Sequence, residues 1–189
     1  MKDGQKSDIS TKRLLLRPFA KSDRVAVLDL YSDARTMLYW SKEPISSLEE
    51  ADLLIERELE WSSAENCLNW GIALADSNLL IGKICLFQIS EQNRRAEIGY
   101  LLNRRQWGKG YMTEAMAFVL AYAFEGLGLH RIEADTDPEN LPSLALLEKF
   151  GFVREGLFHD RWYVHGKWHD SVMLGLLAST YRKNMPDTP

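Results

Sequence analysis

The chain has 189 residues, enough for one domain with a sizeable core and little beyond it. With 46% apolar residues, 26% charged residues and a net charge of −4, it has the composition of a soluble globular protein and no basic footprint for nucleic acid. Two cysteines, Cys67 and Cys85, and four scattered histidines argue against a disulfide framework and against a metal site, and no apolar run reaches the roughly 20 residues that span a bilayer.

The N-terminal stretch, residues 1–11, is polar and lacks the apolar segment of a signal peptide, so a flexible end and a cytoplasmic protein are expected. Lys12 to Arg17 reads as a strand that Pro18 ends. Ser22 and Asp23 start a helix through Tyr31, with a second short helical stretch near Asp33 to Tyr39. Ser47 and Glu50 have capping-box spacing. The helix after them places Leu48, Ala51, Ile55 and Leu59 on one stripe, opposite an acidic face of Glu49, Asp52, Glu56 and Glu60 that reads as solvated. Three strands follow, Trp70 to Ala75, Leu80 to Ile89 and Ala96 to Leu102. A turn over Asn103 to Lys109 leads into a helix with the apolar stripe Met112, Met116, Val119, Ala123 and Leu127, which Gly126 and Gly128 end. Arg131 to Asp135 is a strand, and Asn140 caps a helix that runs to Phe150 with Gly151 as its stop. The chain closes with strands at Phe152 to Phe158, Trp162 to Val164 and Ser171 to Leu176, with a hairpin tip at His165-Gly166-Lys167 and a flexible tail over residues 179–189. This order describes an α+β domain with one sheet over residues 12–178.

The stretch Tyr100 to Ala115 carries the chemistry. A strand ends, a loop with Gly108 and Gly110 follows, and a helix begins, so free backbone N–H groups and the positive end of a helix dipole converge where an anion can bind. Two glycines let the backbone approach that anion, and Lys109, Arg104 and Arg105 add positive potential. A simple tight turn also explains a Gly-x-Gly before a helix; the segment matches neither the P-loop nor the dinucleotide fingerprint.

That stretch resembles the acetyl-CoA-binding motif of the GNAT acetyltransferase superfamily. Ala96 to Leu102 resembles the family's splayed strand, His130 to Ala134 the next strand, and Asn140 to Phe152 its Asn-x-x-Ser helix with a closing Gly-Phe. Gly166 to Met173 and Arg13 to Pro18 resemble the terminal hairpin and opening strand of the branch that acetylates ribosomal-protein N-termini. The resemblance implies the GNAT fold: one mixed, mostly antiparallel sheet of about seven strands, splayed in the middle and flanked by helices. It implies an N-acetyltransferase that carries acetyl from acetyl-CoA, without a metal, to a primary amine, most simply a ribosomal-protein α-amine. A small-molecule amine acetyltransferase and a CoA-binding sensor without turnover stand as alternatives.

By the same resemblance, Trp107, Gly108, Lys109, Gly110, Tyr111, Met112 and Thr113 hold the CoA pyrophosphate. Leu101 and Leu102 meet the pantetheine arm, the Leu102 N–H faces the oxyanion, and Asn140 binds nearby CoA atoms. Ser143 serves the leaving sulfur, because the tyrosine that other members place four residues later is Leu147 here. Glu97 is the general base; Asp160 and His159 are substitutes, while His169 and Asp170 tie down the hairpin. Trp107 and Met112 depart from the family pattern, and Met112 needs room near the phosphates. Tyr39 and Trp40, with the acidic helix, are candidates for the acceptor groove. The protein is expected as a monomer or homodimer, with the hairpin around Trp162 to Trp168 as a contact surface, and no nucleic-acid or membrane partner is expected.

Overall fold

In the computed structural model, which describes residues 8–164 and 166–184, eight strands form one open sheet in the order β1-β2-β3-β4-β5-β6-β8-β7. The strands are β1 (Ile9–Ser10), β2 (Leu14–Arg17), β3 (Leu68–Leu74), β4 (Leu80–Ser90), β5 (Arg95–Leu102), β6 (Arg131–Thr136), β7 (Val153–Val164) and β8 (Lys167–Leu177). The expected count of about seven rises because Ile9–Ser10 pairs with β2, a segment too short to show a period of two. Within the hairpin tip, residue 165 lies outside the described residues, as do 1–7 and 185–189 of the two termini.

Among the described residues five α-helices cover the sheet: α1 (Arg24–Ser32), α2 (Leu48–Ser62), α3 (Tyr111–Ala121), α4 (Leu141–Lys149) and α5 (Ala178–Asn184). One face packs against α1 and α2 through Val27, Leu30, Ile55, Leu80 and Leu101. The other packs against α3, α4 and α5 through Met116, Val119, Leu144, Tyr181 and the sheet residues Ile84, Ala96, Ile98 and Leu102. Burial on both faces explains why β3 and β4 read as near-continuous apolar runs. Adjacent Leu101 and Leu102 fall in opposite cores, as strand alternation requires.

Three expectations are corrected. Asp33 to Tyr39 forms turns, because the Asp33 carboxylate takes the Thr36 N–H at 2.8 Å and the Thr36 hydroxyl at 2.6 Å, local bonds that compete with a continuing helix. In the capping box, Ser47 Oγ accepts from Glu50 N at 3.2 Å, but Glu50 returns to the N–H of Ser46, not of Ser47. Phe152 to Phe158 and Trp162 to Val164 are one strand, β7. The register shifts between Phe158 and Trp162, where Asp160 at φ 50° forms a bulge and donates its N–H to Asp170.

The join between β2 and α1 rests on a buried ion pair. Arg17 reaches both Asp23 oxygens at 2.8 Å, and Asp23 also accepts the Ala20 N–H. Asp23→Ala leaves the Arg17 charge buried without its partner, so urea unfolding is expected to show a loss of about 3 kcal/mol; a change below 1 kcal/mol would mean that the pair does not anchor this corner.

Candidate active site

The parallel ladder between β5 and β6 pairs Arg95 with Arg131, Ala96 with Ile132 and Glu97 with Glu133, and then stops. β5 continues to Leu102 and β6 to Thr136, so the two strands diverge and open the sheet. The open edge of β5 carries unpaired backbone groups whose direction alternation fixes. Asn103 N–H donates to Ile81 O on β4, and the Leu101 carbonyl crowds Gly82 of β4 so closely that a Cβ there would lie 2.4 Å from it. Residues 101 and 103 therefore face β4, and the N–H and C=O of Leu102 face the opening.

From that edge the chain turns through Asn103 into α3. Gly108 and Gly110 have φ of 73° and 79°, in the left-handed region that glycine enters without strain. Gly110 is the N-cap of α3 and supplies no side chain, and no atom lies within 4 Å of the position a Gly108 Cβ would take. The first helical bond runs from Glu114 N to Gly110 O, so the N–H groups of Tyr111, Met112 and Thr113 lack partners inside the helix. Both departures from the family pattern find their reason here. Trp107 Nε1 donates to Leu102 O at 2.7 Å, tying the loop back to the strand, and the Met112 side chain packs into the core at the wall of the opening.

A cleft of about 1680 Å³ runs along this opening, larger than the roughly 300–1,000 Å³ of common ligand pockets. Leu101, Leu102, Trp107, Gly108, Gly110, Tyr111, Met112 and Thr113 line it, with Asn140 and Ser143 of the α4 start beyond. Lys109 does not: its Nζ donates to Gln106 and its carbonyl accepts from Arg13. Asn140 acts as the helix cap, its Oδ1 accepting Ser143 N at 3.3 Å. Leu147 is buried in the core, one turn from Ser143.

Glu97 lines the same cleft on the α1–α2 face of the sheet. Among the described residues it makes no hydrogen bond or ion pair, which leaves its lone pairs free. Burial, then the negative charges of Glu133 and Asp135, raise its carboxyl above the ordinary carboxylate range. Of the substitutes, His159 and Asp160 do not line the cleft; His159 Nδ1 lies 3.0 Å from Asp170 within the β7–β8 hairpin, whereas His169, expected to tie down that hairpin with Asp170, lies 3.0 Å from Asp137 instead, and His169 and Asp170 both line the cleft. Glu49, Asp52, Glu56 and Glu60 also lie away from it, as a solvated face should, whereas Tyr39, Trp40, Trp61 and Trp162 line it.

Several lining residues escaped the sequence reading. Tyr100 reaches Ser143 from β5; the period of two could have placed it opposite Glu97. Lys83 is fully buried in β4, paired at 2.6 Å with Glu58 of α2 and 4.7 Å from the Trp61 ring; a lone charge inside the apolar run Leu80 to Phe87 was its signal. Asp135 on β6 accepts from Arg161 and Trp162, contacts that bring β7 to the cleft and that no local pattern announces. Among the described residues no group of His, Cys, Asp and Glu forms a metal-binding cluster, and no helix is long and apolar enough to cross a membrane.

The description "acetyltransferase (GNAT) domain" belongs to the family whose sequence model matches residues 13–153. The uncharacterized N-acetyltransferase p20 of Bacillus licheniformis is 34% identical over 171 residues, 90% of this chain and 96% of its own. YdaF of Bacillus subtilis, provisionally named a ribosomal N-acetyltransferase, is 34% identical over 86% of this chain and 88% of its own. The crystal structure of a spermidine N-acetyltransferase from Vibrio cholerae in complex with CoA and spermine matches with a TM-score of 0.77 at 27% identity, over 91% of this chain and 99% of that one.

If the glycine loop is the anion seat, Gly110→Ala forces an L residue into a left-handed backbone. Calorimetric titration should then show CoA binding weakened about tenfold, or about 1.4 kcal/mol. Unchanged affinity would place the phosphates elsewhere.

Proposed function

The chain belongs to the GNAT acetyltransferase family and is an acetyl-CoA-dependent N-acetyltransferase; on that premise we propose that its acceptor is the α-amine of a protein N-terminus, a ribosomal protein first among them. Residues 12–178 form the catalytic domain in this reading. The observation that carries it is the state of the carboxylates in the cleft. Of the seven carboxylates lining the cleft, Glu58, Asp135 and Asp137 are engaged by Lys83, Arg161 and His169, Glu50 accepts from Ser46 and Asp170 from Asp160, Glu43 is also engaged, and Glu97 stands without a hydrogen bond or ion pair among the described residues. One free carboxylate suits a single amine on an otherwise neutral chain. A polyamine, with several cations to satisfy, calls for more; that is the second reading, and the Vibrio cholerae neighbour supports it.

The reaction is direct attack of the amine on the thioester carbonyl within a ternary complex. An α-amine has a pKa near 8, so at neutral pH a base must take its proton. Glu97, raised by its surroundings, does so through water. The Leu102 N–H, turned into the opening, donates to the developing oxyanion. The C–S bond breaks with its electron pair on sulfur, and Ser143 at the first turn of α4 donates a hydrogen bond to the departing thiolate. Asn140 and the loop Trp107 to Thr113 hold the rest of CoA, the phosphates resting on the α3 start. Lys109 contributes charge near that seat without a direct contact. The solution state in this reading is a monomer or a homodimer.

Glu97→Gln should lower kcat/KM about 100-fold. In the wild type kcat/KM should fall as pH drops through the raised Glu97 value, because the base form is lost, and the variant should lack that step. Thiol titration of CoA release against ribosomal N-terminal peptides, spermidine and aminoglycosides tests the acceptor. Peptide-specific release is expected; preferential turnover of spermidine would establish the second reading instead.

A further inference from the structure

We propose that Tyr100 is a positioning residue for the leaving group: its phenol donates to Ser143 Oγ and thereby points the Ser143 proton at the CoA sulfur. The inference rests on the acetyltransferase reading of the site and adds to it a residue on the opposite side of the opening.

The geometry is specific. Tyr100 leaves β5 within the segment where the β5–β6 ladder has ended, on the sheet face opposite Glu97. Its hydroxyl lies 2.7 Å from Ser143 Oγ, while the Ser143 carbonyl, the other acceptor in range, is at 3.5 Å. Both residues line the cleft. The hydroxyl pair bridges the two elements that flank the opening, the free edge of β5 and the first turn of α4.

Chemistry fixes the direction of the bond. A phenol, with an ordinary pKa near 10, is a far stronger acid than an alkanol and so the better donor, while the serine oxygen is the better acceptor. Burial pushes the Tyr100 phenol up to about 12, so it keeps its proton throughout the pH range of the reaction. With its oxygen occupied by the phenol, Ser143 has one proton left to give. Among the described residues Ser143 Oγ has no partner besides the Tyr100 hydroxyl, so its own proton can point into the cleft. Hydrogen bonds in such a chain polarise one another, and the α4 N-terminus adds positive potential where the thiolate forms. No proton changes owner in this step. The sulfur leaves with the electron pair of the broken C–S bond, is held by Ser143 as a thiolate, and takes its proton from solvent. A chain without a tyrosine at position 147 thus still brings a phenol to the sulfur, one residue removed.

The test follows the ultraviolet absorbance of the thiolate of CoA bound to the full-length protein, as a function of pH. In the wild type the bound thiol should ionise at lower pH than free CoA. Tyr100→Phe and Ser143→Ala should each raise that value by about one unit, and the double variant should raise it no further. Tyr100→Phe should lower kcat about tenfold with acetyl-CoA KM within a factor of about two. Ser143→Thr, which keeps the hydroxyl, should restore most of the rate. If Tyr100→Phe does not fold, biosynthetic 3-fluorotyrosine preserves shape while making the phenol more acidic. It should lower the bound-thiol value in the wild type and leave Ser143→Ala unchanged. Titration of Tyr100→Phe like the wild type, or additive losses in the double variant, would reduce Tyr100 to packing and overturn the proposal while leaving the enzyme intact. Absence of CoA binding in the wild type would overturn the acetyltransferase reading itself.

Discussion

The structure depends on where one parallel ladder stops. Glu97 and Glu133 are the last paired residues of β5 and β6, and Arg95 closes the base of the split by reaching Glu133 at 2.5 Å. A sheet edge exposed inside a protein is costly unless something binds it, because each unpaired N–H and C=O has left water. Here Trp107 answers for one carbonyl, Leu102 O, by folding its indole back from the loop. The remaining groups face a cleft wide enough for an extended ligand. The opening also sorts chemistry by face: Glu97 stands on the side of α1 and α2, Tyr100 and Ser143 on the side of α3 and α4. In the proposed mechanism, proton removal from the acceptor and stabilisation of the leaving sulfur are thereby kept apart across one strand.

The loop that follows β5 is the proposed seat for the CoA phosphates. Gly108 and Gly110 adopt left-handed backbone, so the chain turns into α3 within a few residues and presents the first helical N–H groups toward the cleft. Arg13 braces the back of the turn: it reaches the Lys109 carbonyl, pairs with Glu114 of α3 and lies 4.7 Å from the centre of the Tyr111 ring. A rigid frame of this kind costs little ordering when an anion arrives.

Much of this was legible in the sequence because the controlling signals are local. Glycines before an apolar helical stripe, an asparagine three residues before a serine, and apolar runs of strand length each act over a few residues, and each sits where its pattern places it. What stayed hidden depends on partners far along the chain. Lys83 reads as an interruption in a strand until Glu58, 25 residues earlier, is brought over it. Tyr100 reads only as one residue of the Ala96 to Leu102 strand until α4 places Ser143 against it, 43 residues on. The helix expected at Asp33 failed for a local reason of a different sort: a side chain that hydrogen-bonds its own backbone competes with the helical ladder, and composition alone does not weigh that competition. Strand β7 was divided because a bulge at Asp160 looks, in sequence, like a loop.

Hydrogen–deuterium exchange with and without acetyl-CoA reads the backbone groups of the β5 edge and the glycine loop directly. Slowed exchange is expected over Ile98 to Leu102 and over Trp107 to Thr113, with little change on α2. Protection confined to other elements, or none despite saturating ligand, would contradict the claim that the split between β5 and β6 receives the thioester.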